Sequence, residues 1–208
     1  DMIKSLQDVN KAMRYCAVPV VAAPFQMALG GGCEVCLPAD VIVANAELYM
    51  GLVEMGVGLI PGGGGTKEMV LRALAGVPSD VQTDRLPFIR RGFEAIRTAR
   101  VSLSADNARE IGYLRAHDVI QVYRDRLVYD AKQVVLGMSL AGYRPPMEPD
   151  YLLMPGGAGK AVLAAELHQM ASSGSITAHE SKIAAKLAHV MCGGDVAEGT
   201  KVTEQQLL

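Results

Sequence analysis

Two acidic residues and a run of glycines are the parts of this sequence that could do chemistry. Gly30, Gly31 and Gly32 stand just before the acid Glu34, and a second acid, Glu54, follows further along the same apolar stretch. Glycines so close together inside an apolar segment indicate backbone that comes close to a ligand. Exposed backbone N–H groups and two carboxylates are the groups that chemistry through an enolate would need.

The glycine run is predicted to open a short helix. Gly31 would lie in its first turn, where its N–H and the helix dipole can stabilise an oxyanion. Glu34 would lie one helical turn further on and on the same face. The sequence therefore predicts an anion-binding N–H group and an acid on one helix.

Glu54 lies in a glycine-rich segment, Gly51 to Gly62, that could fold back over this helix. Glu54 would then face Glu34 across a small apolar cavity, where the two carboxylates would titrate as a pair that holds and passes one proton. The alternative left open by spacing alone is that Glu34 is a solvated helix residue and Glu54 a surface loop residue.

Composition excludes other classes of function. The chain has 208 residues, of which 50% are hydrophobic and 20% charged, as is usual for a globular protein. Its 20 basic and 22 acidic residues leave no basic excess to bind nucleic acid, and it has no Trp for base stacking. The longest uncharged run, residues 15–33, contains two prolines and three consecutive glycines, so no membrane span is expected.

Several short motifs are incomplete. Gly156 to Lys160 ends like a phosphate-binding loop, but Met154 and Ala161 stand where that motif needs Gly and Ser or Thr. Cys33 and Cys36 form a lone C-x-x-C without a second pair of ligands. We therefore expect neither a nucleotide phosphate site nor a metal site.

Hydrophobic periodicity and breaker residues predict the elements. The expected helices cover residues 2–15, 30–37, 66–74 with Thr66 as its cap, 87–98, 107–111 preceded by the capping residue Ser104, 124–140, 160–172 and 178–191. The expected strands cover residues 18–23, 41–44, 48–50 and 118–122, with a loop over 24–29 and a linker over 143–159. The alternation indicates ββα units joined by crossovers.

The stretch from Val18 to Thr66 resembles the core of the crotonase (enoyl-CoA hydratase/isomerase) superfamily. The match runs without a gap through VPVVAA, ALGGGCEV, DVIVA and the segment Gly51 to Thr66. Phe25-Gln26 departs from the family's Asn-Gly, and Val53 replaces a common Pro. The resemblance implies an α/β fold of the ClpP/crotonase type, with a spiral core of ββα units and a helical C-terminal extension.

The resemblance also implies site residues and a reaction. Gly31 falls on the family's second oxyanion glycine, and Glu34 and Glu54 fall on the two acids that hydratases use. The substrate-binding positions implied are Ala28, Gly30, Gly32, Gly51, Pro61 and Gly62. The expected activity is that of an enoyl-CoA hydratase, a lyase that adds water syn to trans-2-enoyl-CoA in fatty-acid β-oxidation, with no cofactor beyond the coenzyme A of the substrate.

Later segments resemble the C-terminal hydratase region of bacterial 3-hydroxyacyl-CoA dehydrogenases: residues 124–127, 141–146 and 187–194. We expect a core over residues 1–101 and a helical region over residues 102–208. The family's loop with the first oxyanion N–H would lie upstream of Asp1. The resemblance thus predicts an N-terminally truncated core, with low activity on its own.

Two alternatives to the hydratase remain open at this point. One is an enoyl-CoA isomerase of the same superfamily, which needs chiefly one acid. The other is a non-catalytic fragment that binds acyl-CoA or forms oligomers. In each case the expected partner is an acyl-CoA thioester and not nucleic acid, the expected assembly is a homo-oligomer such as a trimer, and the expected location is the cytoplasm.

Overall fold

The computed structural model describes residues 2–78, 81 and 83–208. Over these residues the chain forms eight α-helices, seven β-strands and three 3-10 helices. The α-helices are α1 (Met2–Arg14), α2 (Gly31–Cys36), α3 (Gly65–Leu74), α4 (Leu86–Arg97), α5 (Ala105–Ile111), α6 (Leu127–Leu140), α7 (Gly156–Ser172) and α8 (Ala178–Met191). The strands are β1 (Val21–Ala22), β2 (Gln26–Leu29), β3 (Val41–Asn45), β4 (Leu48–Gly51), β5 (Val119–Gln121), β6 (Leu152–Leu153) and β7 (Lys201–Val202). The 3-10 helices span Glu54–Val57, Arg124–Arg126 and Glu204–Leu207.

Contacts divide the chain into two compact units. The first unit contains residues 1–52 and 100–148, and the second contains residues 53–99 and 149–208. The sequence analysis divided the chain once, after residue 101, whereas the units formed by contacts alternate along the chain. The division from the sequence stays a prediction.

The first unit contains a parallel sheet in the order β1-β3-β5. β3 is its central strand, with Val41 opposite Val21 of β1 and Val43 opposite Val119 of β5. The β-branched sequence of β3 is buried at four of its five positions, as is usual for a parallel strand covered on both faces. α6 covers this sheet, because its residues Leu127 and Ala131 pack with Val43.

β2 and β4 form a second, two-stranded parallel pair in the same unit. The sequence analysis expected a loop over residues 24–29, and this was wrong for residues 26–29. Gln26 to Leu29 pair residue by residue with Leu48 to Gly51. This pairing joins segments that α2 and β3 separate in the sequence, so hydrophobic periodicity over four residues does not reveal it.

A buried carboxylate connects the loops of the first unit. Asp118 accepts hydrogen bonds from Ile42 N–H at 2.8 Å and from Arg115 N–H at 2.6 Å, and it also pairs with the Arg115 guanidinium. Burial alone would raise the pKa of Asp118, but the hydrogen bonds and charge of Arg115 and the Ile42 N–H together hold that pKa below its usual value. The side chain thereby fixes the start of β5 against β3.

The second unit is mainly helical. α3 packs against α4 and α8, α7 packs against α8, and β6 pairs antiparallel with β7. Two expectations fail here. The linker expected over residues 143–159 contains β6 and the first turn of α7, and the cap of α3 is Gly64, at φ 115°, rather than Thr66. Thr66 lies inside α3, where its hydroxyl donates to the Pro61 carbonyl.

Most of the other predicted helices are confirmed within a few residues. The Ser104 side chain accepts from Asn107 N–H at the start of α5, and Gly112 ends that helix at φ 106°. The helix expected over residues 124–140 begins with a 3-10 turn before α6. Across the residues that the structure describes, none of these helices combines the length and the apolar character needed to cross a membrane.

Tyr113 fixes the end of β4 within the first unit. Its side chain is fully buried, its hydroxyl donates to the Arg100 carbonyl at 2.9 Å, and the same hydroxyl accepts from Leu52 N–H at 3.3 Å. The neighbouring Gly51 is confined as well, because a Cβ there would lie 2.6 Å from the Arg100 carbonyl oxygen. The chain therefore leaves β4 along a fixed path.

Tyr113→Phe tests this arrangement. The change should lower the free energy of unfolding by about 1–3 kcal/mol, because it leaves the Leu52 N–H and the Arg100 carbonyl without their buried partner. The matched control is Tyr123→Phe at a side chain that is 71% exposed, which should stay within about 0.5 kcal/mol of the wild type. Denaturant titration measures both. Equal losses for the two variants would contradict the role given to the Tyr113 hydroxyl.

Candidate functional site

A single glycine turns the chain from β2 into α2. Gly30 has φ 53° and ψ −125°, a conformation that is essentially restricted to glycine. Its N–H donates to the Gly51 carbonyl at 2.8 Å, and its carbonyl accepts from Glu34 N–H at 2.9 Å. The predicted site residues Gly30 and Gly51 are thus joined directly, at the carboxyl ends of β2 and β4.

Gly31 and Gly32 form the first turn of α2. Both are exposed, and a Cβ on either would meet no other atom within 4 Å. The first N–H groups of a helix have no partner inside the helix, and the N–H of Gly31 makes no hydrogen bond to any described residue. The Gly31 N–H is therefore available to a ligand, whereas its role in stabilising an oxyanion stays a prediction.

Glu34 lies one turn further along α2 and is only 3% exposed. The alternative in which Glu34 is a solvated helix residue is therefore wrong. Burying a carboxylate is costly unless other groups compensate it, so an acid at this depth is unusual for a six-residue helix in a loop-rich region. Its burial beside the exposed Gly31 turn is consistent with a chemical role.

The remaining site residues named from the sequence belong to the second unit. Glu54 is half-buried and begins the 3-10 helix Glu54–Val57, whose C-cap is Gly58 at φ 82°. Pro61 is buried and Gly62 half-buried, and the Thr66 hydroxyl reaches the Pro61 carbonyl at 3.4 Å. Glu34 belongs to the first unit and Glu54 to the second, so the predicted facing of the two carboxylates stays a prediction.

An open cleft of about 410 Å³ runs along β2 in the first unit. Two of the predicted substrate-binding residues, Ala28 and Gly32, line it. The sequence analysis did not assign the other lining residues to the site: Ala23, Pro24, Phe25, Gln26, Met27 and Cys36. Five of the eight lining residues therefore come from the segment 24–29 that was expected to be a loop, and three of these five belong to β2.

Gln26 shows what signal could have identified this strand. Its φ is 54°, a value rare outside glycine, at the position where the crotonase pattern has Gly. Beside it, the guanidinium of Arg124 lies 4.6 Å from the centroid of the Phe25 ring. The departure of Phe25-Gln26 from Asn-Gly therefore marks two residues that line the cleft, and this departure is the signal that the sequence itself contains.

No cluster of three or more His, Cys, Asp or Glu side chains suited to a metal ion occurs among the described residues. No disulfide joins the four cysteines, all of which lie in the described range. Cys33 and Cys36 both belong to α2, the first buried and the second at the cleft.

A family model described as enoyl-CoA hydratase/isomerase matches residues 1–76. This range holds every site residue named from the sequence. A Bacillus subtilis (strain 168) protein named probable 3-hydroxyacyl-CoA dehydrogenase is 47% identical over 207 residues, which cover 100% of this chain and 26% of that protein. The mouse mitochondrial methylglutaconyl-CoA hydratase is 40% identical over 67 residues, which cover 32% of this chain and 21% of that protein.

Solved structures agree with these sequence matches. An enoyl-CoA hydratase from Bacillus anthracis has a TM-score of 0.51 at 25% identity and covers 91% of this chain, which in turn spans 59% of that structure. A putative enoyl-CoA hydratase from Thermobifida fusca, solved in complex with CoA, has a TM-score of 0.53 at 18% identity. The match covers 90% of this chain and 59% of that structure. The α/β crotonase-like fold class predicted from the sequence is confirmed.

The glycine turn can be tested on stability alone. Gly30→Ala should lower the free energy of unfolding by about 1–3 kcal/mol, because alanine is strained at this backbone conformation. Gly31→Ala, the matched neighbour, should remain within about 1 kcal/mol of the wild type or exceed it, because there is space for a Cβ and alanine favours a helix. Thermal and denaturant unfolding measure both variants. A larger loss for Gly31→Ala than for Gly30→Ala would contradict the geometry of the turn.

Proposed function

Because the chain belongs to the crotonase superfamily, we propose that it carries part of an enoyl-CoA hydratase site that adds water syn to trans-2-enoyl-CoA. The observation that carries the proposal is the pairing, on one short helix, of the exposed Gly31 N–H with the deeply buried Glu34. The match of residues 1–76 to the enoyl-CoA hydratase/isomerase model supports it.

In this proposal Glu34 acts as the general base. Its carboxylate holds a water molecule and takes one proton from it as the water oxygen bonds to C3 of the enoyl group. Glu54 acts as the general acid and gives a proton to C2. The double bond is thereby replaced by a C3–O bond and a C2–H bond, and the product is a 3-hydroxyacyl-CoA. The two carboxylates exchange the surplus proton with each other or with water.

The Gly31 N–H would stabilise the thioester oxygen. As water adds at C3, negative charge moves through C2 to that oxygen and forms an enolate. A fixed N–H group at the start of a helix stabilises this charge, and loss of one such donor usually slows an enzyme by about 10² to 10³. In the crotonase pattern a second N–H from an upstream loop completes this oxyanion hole.

The names of the relatives support the same class of substrate. The Bacillus subtilis relative is named for a 3-hydroxyacyl-CoA, which is the product of hydrating an enoyl-CoA. The structure neighbour from Thermobifida fusca was solved with CoA. We therefore propose a role in fatty-acid β-oxidation, with coenzyme A entering only as part of the substrate. From the family resemblance alone we also propose the cytoplasm as the location and a homo-oligomer such as a trimer as the working form.

An isomerase is the second candidate, because the matching family model covers both activities. An isomerase moves the double bond by taking a proton from one carbon and returning it to another, and one acid is sufficient for that. The two reactions therefore differ in their need for Glu34.

Glu34→Gln should slow hydration, lowering kcat by a factor of about 10² to 10⁴, because the amide cannot take a proton from water. The measurement is the loss of conjugated enoyl-thioester absorbance when crotonyl-CoA is mixed with protein. The matched control is Glu47→Gln, at an exposed acid of the same unit, which should keep full activity.

The assay should be run on this chain and on a version extended upstream with the family's first oxyanion loop. Retained hydration in Glu34→Gln would contradict the proposed base. Isomerase activity that survives Glu34→Gln would favour the second candidate. Absence of turnover in both wild-type forms would favour the non-catalytic alternative.

A further inference from the structure

A buried cluster of three charged side chains lies in the second unit and takes no part in the proposed chemistry. The Lys67 ammonium is 2.8 Å from Oε1 of Glu68 and 2.5 Å from Oε1 of Glu204. All three side chains are at most 1% exposed. Glu204 comes from the C-terminal 3-10 helix, far from Lys67 in the sequence.

This cluster suits its place in the fold. Taking charges out of water is costly, so a buried ammonium is stabilised by the carboxylates beside it. Lys67 and Glu68 lie in the first turn of α3, and the positive end of the helix dipole there favours negative charge. The cluster lies at the start of α3, where the glycine-rich loop ends.

Contacts connect the cluster to that loop. α3 begins at Gly65, directly after Gly62, Gly63 and Gly64. Gly64 has φ 115°, and a Cβ there would lie 3.8 Å from Cε of Lys67 and 3.7 Å from Cδ2 of Leu208. The Thr66 hydroxyl holds the other end of the loop through the Pro61 carbonyl.

We propose that Glu204 is a positioning residue for the loop Pro61–Gly64 and acts on it through Lys67. The C-terminal 3-10 helix fixes the lysine, the lysine fixes the first turn of α3, and that turn sets the path of the loop. The effect on substrate rests on the proposed function and on the substrate-binding role that the crotonase resemblance implies for Pro61 and Gly62. The effect on the loop backbone does not depend on the proposed function.

An ionic contact is suited to this role because it accepts few geometries. A buried ammonium must keep hydrogen bonds to its carboxylates, whereas an apolar side chain can shift within its pocket at little cost. Four glycines in a row, Gly62 to Gly65, have little backbone preference of their own. A fixed group next to the loop, such as the Lys67 ammonium, can therefore restrict the paths that its backbone takes.

Glu204→Gln tests the proposal on the intact chain by hydrogen exchange. Amides of residues 62–66 should exchange about tenfold faster or more, while amides in α7 and α8 keep their wild-type rates. The control is Glu198→Gln, at an exposed acid of the same unit, which should change neither set of rates. Unchanged exchange in the loop, or faster exchange spread evenly over the whole unit, would overturn the proposal, because the second result describes a purely structural role.

Kinetics provide the second readout. The KM for crotonyl-CoA should rise about tenfold in Glu204→Gln while kcat stays within about threefold, because a loosened loop weakens binding more than chemistry. A fall in kcat at constant KM would overturn the assigned role. If Glu204→Gln does not fold, Glu204→Asp keeps the charge and should show a smaller acceleration of exchange confined to residues 62–66. Absence of turnover in both the wild-type chain and its upstream-extended form would sink the hydratase proposal, and the exchange comparison would still decide the role of Glu204.

Discussion

The hydrogen bond from Gly30 N–H to the Gly51 carbonyl is the constraint on which the candidate site depends. It joins the ends of two parallel strands where one of them turns into α2, and the backbone at Gly30 allows that turn within one residue. Because α2 begins directly after Gly30, its first turn leaves Gly31 exposed and its next turn places the Glu34 side chain in the interior.

The first unit surrounds this turn with fixed contacts. Tyr113 and the backbone around Arg100 confine the end of β4, so the Gly51 carbonyl that receives the hydrogen bond cannot move freely. The packing of this unit offsets the free-energy cost of burying the Glu34 carboxylate. The glycine-rich loop of the second unit is held in another way. It pairs with no strand among the described residues and ends at the buried ion cluster of Lys67, Glu68 and Glu204.

The sequence predicted those features that depend on neighbouring residues. Ser104 predicted the cap of α5, and the glycine run predicted α2, because caps and turns act over three or four positions. The family resemblance supplied the fold and placed Glu34 at a position that the structure shows to be buried. It also placed Gly30 and Gly51 together in the site, where the structure joins them by a hydrogen bond.

Features that depend on distant residues were missed. β2 exists because it pairs with β4, which follows α2 and β3 in the sequence. The cap of α3 was missed for a different, local reason, because Gly64 adopts a positive φ two residues before Thr66. The contact between Lys67 and Glu204 joins residues that no local pattern relates. Periodicity has no access to such pairings, since each partner looks ordinary in its own stretch of sequence.

The central claim is that the α2 turn polarises the carbonyl of an enoyl thioester. Infrared spectroscopy of crotonyl-CoA labelled with ¹³C at the thioester carbonyl tests it most directly, because hydrogen bonds to that oxygen lower its stretching frequency. The account predicts a lower frequency for the bound thioester than for the free one, and a smaller decrease when Gly30→Ala disturbs the turn. A bound thioester with the frequency of the free molecule would contradict the account.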